Sequence, residues 1–205
     1  MGIFSTFNIA EDFSLSSDFA TLFGFTEGEI RASFGGYLRR AAWVLSDDTR
    51  QWTVDEVLSE MRRNYDGYCF DATLKEHVYN PWSVMKFLDA PKAGFDNYWI
   101  KSGVLTTGLV KYFRTHELRN PEDFQVEKRL PKVVLEASTT EESISEVALL
   151  TQMGYLTLKR SEAGDCYVGY PNEEVASMSI GKCCTCHSRG KLKVSDFLCG
   201  TRVFW

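Results

Sequence analysis

The chain of 205 residues reads as a mainly α protein with a small β-hairpin. Three observations predict this. Thr-x-x-Glu starts recur at Thr26, Thr53 and Thr139, and apolar residues follow each at helical spacing. The alternation of a hairpin is confined to one stretch, from Tyr155 to Tyr170. Composition agrees, because 44% hydrophobic and 14% aromatic residues suit one moderate core or two small ones and exclude a disordered chain.

Taken in order, Thr26-Glu27-Gly28-Glu29 opens a predicted helix from Glu27 to Val44, with Ile30, Phe34, Leu38 and Ala41 inward and a bend at Gly35-Gly36. Thr53 opens a second helix, which Val54, Val57, Leu58 and Met61 carry to Asn64. Tyr65-Asp66-Gly67-Tyr68 then forms a corner in which Asp66 and Gly67 make the turn and both rings pack. Asn80 caps and Pro81 starts a short helix over Trp82 to Leu88, stopped before Pro91. Val104 to His116 predicts another helix, Asn120-Pro121 a further start, and Lys132 to Glu136 a short strand. Thr139 opens a helix to Met153 with Ile144, Val147 and Leu150 inward. Tyr155 to Lys159 and Cys166 to Tyr170 pair around the turn-rich Ser161 to Asp165. A helix followed by a hairpin suggests a winged-helix-like module. Trp43, Trp52, Trp82 and Trp99 are expected in the core or between domains.

Charge is uneven. The tail from Gly181 carries five Lys or Arg against one Asp, which leaves −9 on the rest of a chain whose net charge is −5. An acidic body argues against a general nucleic-acid surface. No apolar run reaches the ~18 residues of a membrane span, and Met1 to Ala10 lacks the regions of a signal peptide, so the expected address is the cytoplasm, with no membrane partner.

Several stretches resemble, in order, one known family. They are Ile3-Phe4-Ser5 with Asn8, Gly24-Phe25-Thr26-Glu27-Gly28-Glu29, Tyr65-Asp66-Gly67-Tyr68, Tyr79-Asn80-Pro81-Trp82-Ser83-Val84, Tyr98-Trp99, Gly154-Tyr155-Leu156-Thr157-Leu158, and Gly169-Tyr170-Pro171-Asn172-Glu173-Glu174-Val175. The chain resembles the bacterial and archaeal AAA-ATPase-like proteins that commonly carry a C-terminal PD-(D/E)XK nuclease-like domain. The resemblance implies a fragment: a helical ATPase lid within 1–130, a winged-helix-like junction over 131–180, and an unmatched cysteine-rich tail over 181–205. It also implies that the ATPase core and the nuclease-like domain, or homologous chains, are the partners. ATP and magnesium are expected only for the full-length family.

The residues themselves carry no catalytic, cofactor-binding or metal set. Gly181-Lys182 lacks both the earlier glycine of a phosphate loop, where Ala176 stands, and the hydroxyl, where Cys183 stands. No Asp or Glu has a lysine two residues on, as the nuclease strand requires. Glu60-Met61-Arg62 and Glu117-Leu118-Arg119 come nearest, on predicted helices where such pairs do not share a face. His77, His116 and His187 are scattered and read as structural. Cys183, Cys184, Cys186, His187 and Cys199 suit zinc in type, but no second C-x-x-C completes the pattern. The alternatives to a lid and interdomain module are a winged nucleic-acid-binding module, with Lys159, Arg160 and the tail on phosphate, and a zinc-binding interaction protein.

Overall fold

A computed structural model describes residues 15–102, 121–136 and 145–177. Helix α1 (Glu27–Leu45) and helix α2 (Val54–Tyr65) both open on full capping boxes. Thr26 Oγ1 accepts from the Glu29 N–H at 3.2 Å, and Glu29 Oε2 accepts from the Thr26 N–H at 2.8 Å. Thr53 and Glu56 repeat this at 3.2 and 2.7 Å. Two orphan N–H groups are thereby satisfied at each start. The bend in α1 falls at Phe34 (φ −112°, ψ 16°), one residue ahead of the glycine pair.

Helix α3 (Pro81–Asp89) begins as expected, with Asn80 Oδ1 accepting from the N–H groups of Trp82 at 3.0 Å and Ser83 at 3.3 Å. Pro91 starts a 3-10 turn, and a one-turn helix α4 (Tyr98–Lys101) follows. Ile30, Leu38 and Ala41 of α1, Val57, Leu58 and Met61 of α2, and Val84 and Phe87 of α3 form the first core. Each helix contributes the face its sequence period selects.

The second core lies on a three-stranded antiparallel sheet, β1 (Lys128–Pro131), β2 (Thr157–Glu162) and β3 (Asp165–Gly169), in the order β1-β3-β2. Helices α5 (Lys132–Glu136) and α6 (Glu146–Gln152) connect β1 to the hairpin. Leu130, Val147, Ala148, Leu149, Leu158, Cys166 and Val168 fill this core together with Phe124 and with Cys69 from the helical part. The sheet part thus reaches back to Phe124, N-terminal to the boundary at residue 131.

The overall class matches the expected mainly α chain with a small β region, and several details differ. Lys132 to Glu136 is helical, not a strand. Pro131 has no N–H to extend the ladder, and the Lys132 N–H donates to Gly164 O at 2.9 Å, which turns the chain off the sheet. Adjacent Val134 and Leu135 then both pack on the core while Val133 is 65% exposed, an arrangement that strand alternation forbids. Helix α6 starts at Ser145, whose backbone is extended (φ −71°, ψ 150°) and whose hydroxyl accepts from the Ala148 N–H at 3.2 Å, so no single helix runs through to Met153. The Thr139 start and Ile144 lie outside the described residues. The helix over Val104 to His116, His187 and the cysteine-rich tail lie outside them too.

The hairpin exists, with a third strand added and a tighter turn. Glu162 faces Asp165 across Ala163 and Gly164, both at positive φ, the two-residue connection that suits twisted strands. Trp52 and Trp99 are packed as expected, but Trp43 is 79% and Trp82 43% exposed. With Leu38, Ala41 and Ala42 inward, the helical period turns Trp43 away from the core.

Candidate functional site

The corner at the end of α2 is where the helical and sheet parts lock together. The Asp66 N–H still donates to Arg62 O at 3.2 Å, and Gly67 then takes φ +94°. A Cβ on Gly67 would lie 2.3 Å from the Pro171 carbonyl oxygen. Only glycine permits both the left-handed backbone and that approach. Tyr65 is fully buried; its hydroxyl donates to Asp96 O at 3.1 Å, and its ring lies beside Phe87, Phe95 and Tyr98. Tyr68 is buried with Val78 and Val175, beside Trp99, Tyr155 and Tyr170. Gly154, at φ +78°, lies beside its ring and that of Trp99. Burial pushes both tyrosine hydroxyls well above their usual range, so neither serves as a base near neutral pH.

Pro171-Asn172-Glu173-Glu174-Val175 supplies the other half of the joint. Asn172 Nδ2 donates to Asp66 O at 2.9 Å, and its Oδ1 accepts from the Val175 N–H at 3.2 Å, capping a helical turn over 173–177. Glu174 is fully buried, and its carboxylate accepts from Ser83 Oγ at 2.8 Å and from the Trp99 N–H at 2.7 Å. Arg63 pairs with Glu173 at 3.1 Å, and Asn97 Nδ2 donates to Ser177 Oγ at 3.0 Å. Thr157 Oγ1 accepts from the Cys69 N–H at 2.8 Å and donates to Cys69 O at 3.3 Å. A bulge between Leu158 and Arg160 re-aims Lys159, whose Nζ donates to Pro171 O at 3.2 Å. Burial pulls the Lys159 amine below its ordinary range.

Next to the corner, Glu27 gathers a second polar group. Arg62 and Arg31 both pair with it, and the Tyr79 hydroxyl donates to it at 3.1 Å. Burial works to raise the Glu27 carboxyl, but the hydrogen bonds from Arg62, Arg31 and Tyr79 outweigh it and hold the group below the usual range. Gly24 and Phe25 dock on Val78 and Tyr79: Phe25 and Tyr79 exchange backbone hydrogen bonds at 3.2 and 2.8 Å, and a Cβ on Gly24 would lie 2.4 Å from Val78. Burial raises the Asp66 carboxyl, whose Oδ1 has no hydrogen-bond partner among the described residues.

The cluster is built for holding. Glu27 and Glu174 are met by donors, Asp66 keeps one oxygen without a partner among the described residues, and the rings interlock. Among the described residues no group of three or more His, Cys, Asp or Glu side chains is placed to hold a metal ion. At the starts of α1, α2 and α3, one or two orphan N–H groups are taken by the side chains of Thr26, Thr53 and Asn80. Glu60 and Arg62 lie on α2, where they share no face. His77 is exposed, and its charge acts on the Asp66 carboxyl. The sequence reading missed the buried Glu174. Its one local signal is the Asn172 cap placed two residues before it.

One curated relative, named as an uncharacterized protein in the vnfD 5′ region of Azotobacter chroococcum mcd 1, is 29% identical over 179 residues. The match covers 85% of this chain and 30% of that protein, so the chain spans less than a third of the relative's length. No family model matches the chain, and no solved structure matches it.

Proposed function

We propose that this chain is the lid and interdomain module of an AAA-ATPase-like protein, with no ATP-hydrolysing or nuclease residues of its own. The observation that carries this reading is the convergence at one joint. The family-like stretches that fall in the described residues, from Gly24-Phe25 to Glu174-Val175, are those that meet around Tyr65 to Tyr68, although up to 106 residues of sequence separate bonded partners. A set of ordered motifs that specifies one interdomain contact is what a connecting module needs. Its partners are then an ATPase core and a nuclease-like domain, or homologous chains, and its compartment the cytoplasm. Calorimetric titration with ATP and magnesium, together with a phosphate-release assay on the purified chain, tests the reading. The expected result is neither binding heat nor turnover, and clear turnover by the chain alone overturns it.

A winged nucleic-acid-binding module is the second reading, favoured by the order β1-α5-α6-β2-β3 with β3 between the other two strands. Its charges oppose it. Arg129 pairs with Asp165 at 2.7 Å and Arg160 with Glu127 at 3.3 Å, while Glu162 and Asp165 flank the hairpin turn. A wing tip framed by carboxylates repels phosphate.

A further inference from the structure

Among the arginines of the described residues, those on the outward face of α1 stand apart. Arg31, Arg50, Arg62, Arg63, Arg129 and Arg160 each meet a carboxylate. Among the described residues, Arg39 and Arg40 meet none. From Ile30 to Ser46 the sequence holds three arginines and no acid, in a chain whose net charge is −5. Beside the unpaired pair, Trp43 is 79% and Tyr37 52% exposed.

The surface between them is open. A Cβ on Gly36 would meet nothing within 4 Å, and a Cβ on Gly35 would lie 3.7 Å from Arg39 Nη1. Glycine inside a helix costs stability relative to alanine, and nothing within the fold requires it at Gly36. Beyond the bend at Phe34, helical spacing puts Gly36 and Trp43 on one line, with Arg39 and Arg40 on either side.

We propose that this face docks an acidic amphipathic helix of a partner protein, whose carboxylates pair with Arg39 and Arg40 while its apolar side lies over Gly36 against the exposed Trp43 and Tyr37. Guanidinium forks match carboxylates in two-point contacts, and Trp, Tyr and Arg are the residues that dominate protein interfaces. Gly36, with no side chain, lets a second backbone approach. Nucleic acid is disfavoured, since two arginines displace few counterions and the chain as a whole is acidic.

The test uses a fluorescent 20-residue peptide with leucine at the a and d positions of its heptads and glutamate elsewhere, titrated with the whole chain and followed by anisotropy. Saturable binding is expected, weakened at least tenfold by Arg39→Glu with Arg40→Glu and similarly by Trp43→Ala. All three side chains are exposed, so the melting temperature should stay unchanged and report that each variant is folded. Gly36→Ala is expected to raise the melting temperature by about 3 °C yet weaken the peptide several-fold, a combination that a purely structural role would not produce. Absence of saturable binding, or equal binding by the wild-type chain and the arginine variant, overturns the proposal. So does an arginine-dependent affinity for a dT20 oligonucleotide in place of the peptide, which would assign the face to nucleic acid.

Discussion

The joint around Tyr65 to Tyr68 and the outer face of α1 are made of similar residues, aromatic rings beside charged groups, and the fold treats them in opposite ways. At the joint, Glu174 is fully buried with a donor on each oxygen, and Tyr65 is enclosed by rings. On α1, Arg39 and Arg40 have no acid among the described residues, and Trp43 is exposed. Residue type alone therefore does not distinguish a lock from a landing surface. What distinguishes them is whether the fold supplies each charge with its partner. A buried charge left alone costs several kcal/mol, whereas an exposed one costs little and stays available.

The largest effect that would break this contrast is at Gly67. Gly67→Val places a branched side chain at φ +94° and against Pro171 O, so a loss of about 3 kcal/mol or more is expected in denaturant unfolding. A fall under 1 kcal/mol would mean that the two parts hold together elsewhere. Next comes Glu174. Replacement by alanine strands Ser83 Oγ and the Trp99 N–H inside the joint, for an expected loss of about 2–4 kcal/mol, while glutamine keeps an acceptor and loses less. Equal losses from both changes would show that charge, not hydrogen bonding, holds the site.

A smaller effect, of opposite sign, belongs to Asp66. Burial raises its folded-state value above the unfolded one, so the native state holds its proton longer, and stability falls as pH rises from about 4 through the raised value. Asp66→Asn removes that decline. Denaturation midpoints measured across this window should be flatter for the variant, and parallel curves would contradict the assignment.

The first three helices are legible because their signals are local: a capping box or an Asn-Pro pair lies within three residues of each start. The joint is not, since Cys69 and Thr157 are 88 residues apart and Asp66 and Asn172 106 apart. No window along the sequence contains both partners. Lys132 to Glu136 misleads for another reason, because the β-branched pair Val133-Val134 suggests a strand where a proline and a long-range hydrogen bond to Gly164 dictate a helix. Trp43 could have been placed outward from the period of α1 alone, since Ala41 and Ala42 take the inward positions beside it.

The separation between Asp66 and Asn172 also fixes an order of events. The helical core, from Ile30 to Leu88, can close as soon as those residues have left the ribosome, whereas its rim at Tyr68 and Trp99 waits for Pro171 to Ser177 to be made. At about 5–20 residues per second, synthesis leaves that aromatic rim uncovered for several seconds. Nascent chains therefore pass through a period in which a chaperone or a neighbouring ribosome's product can reach Tyr68 and Trp99 before Glu174 does.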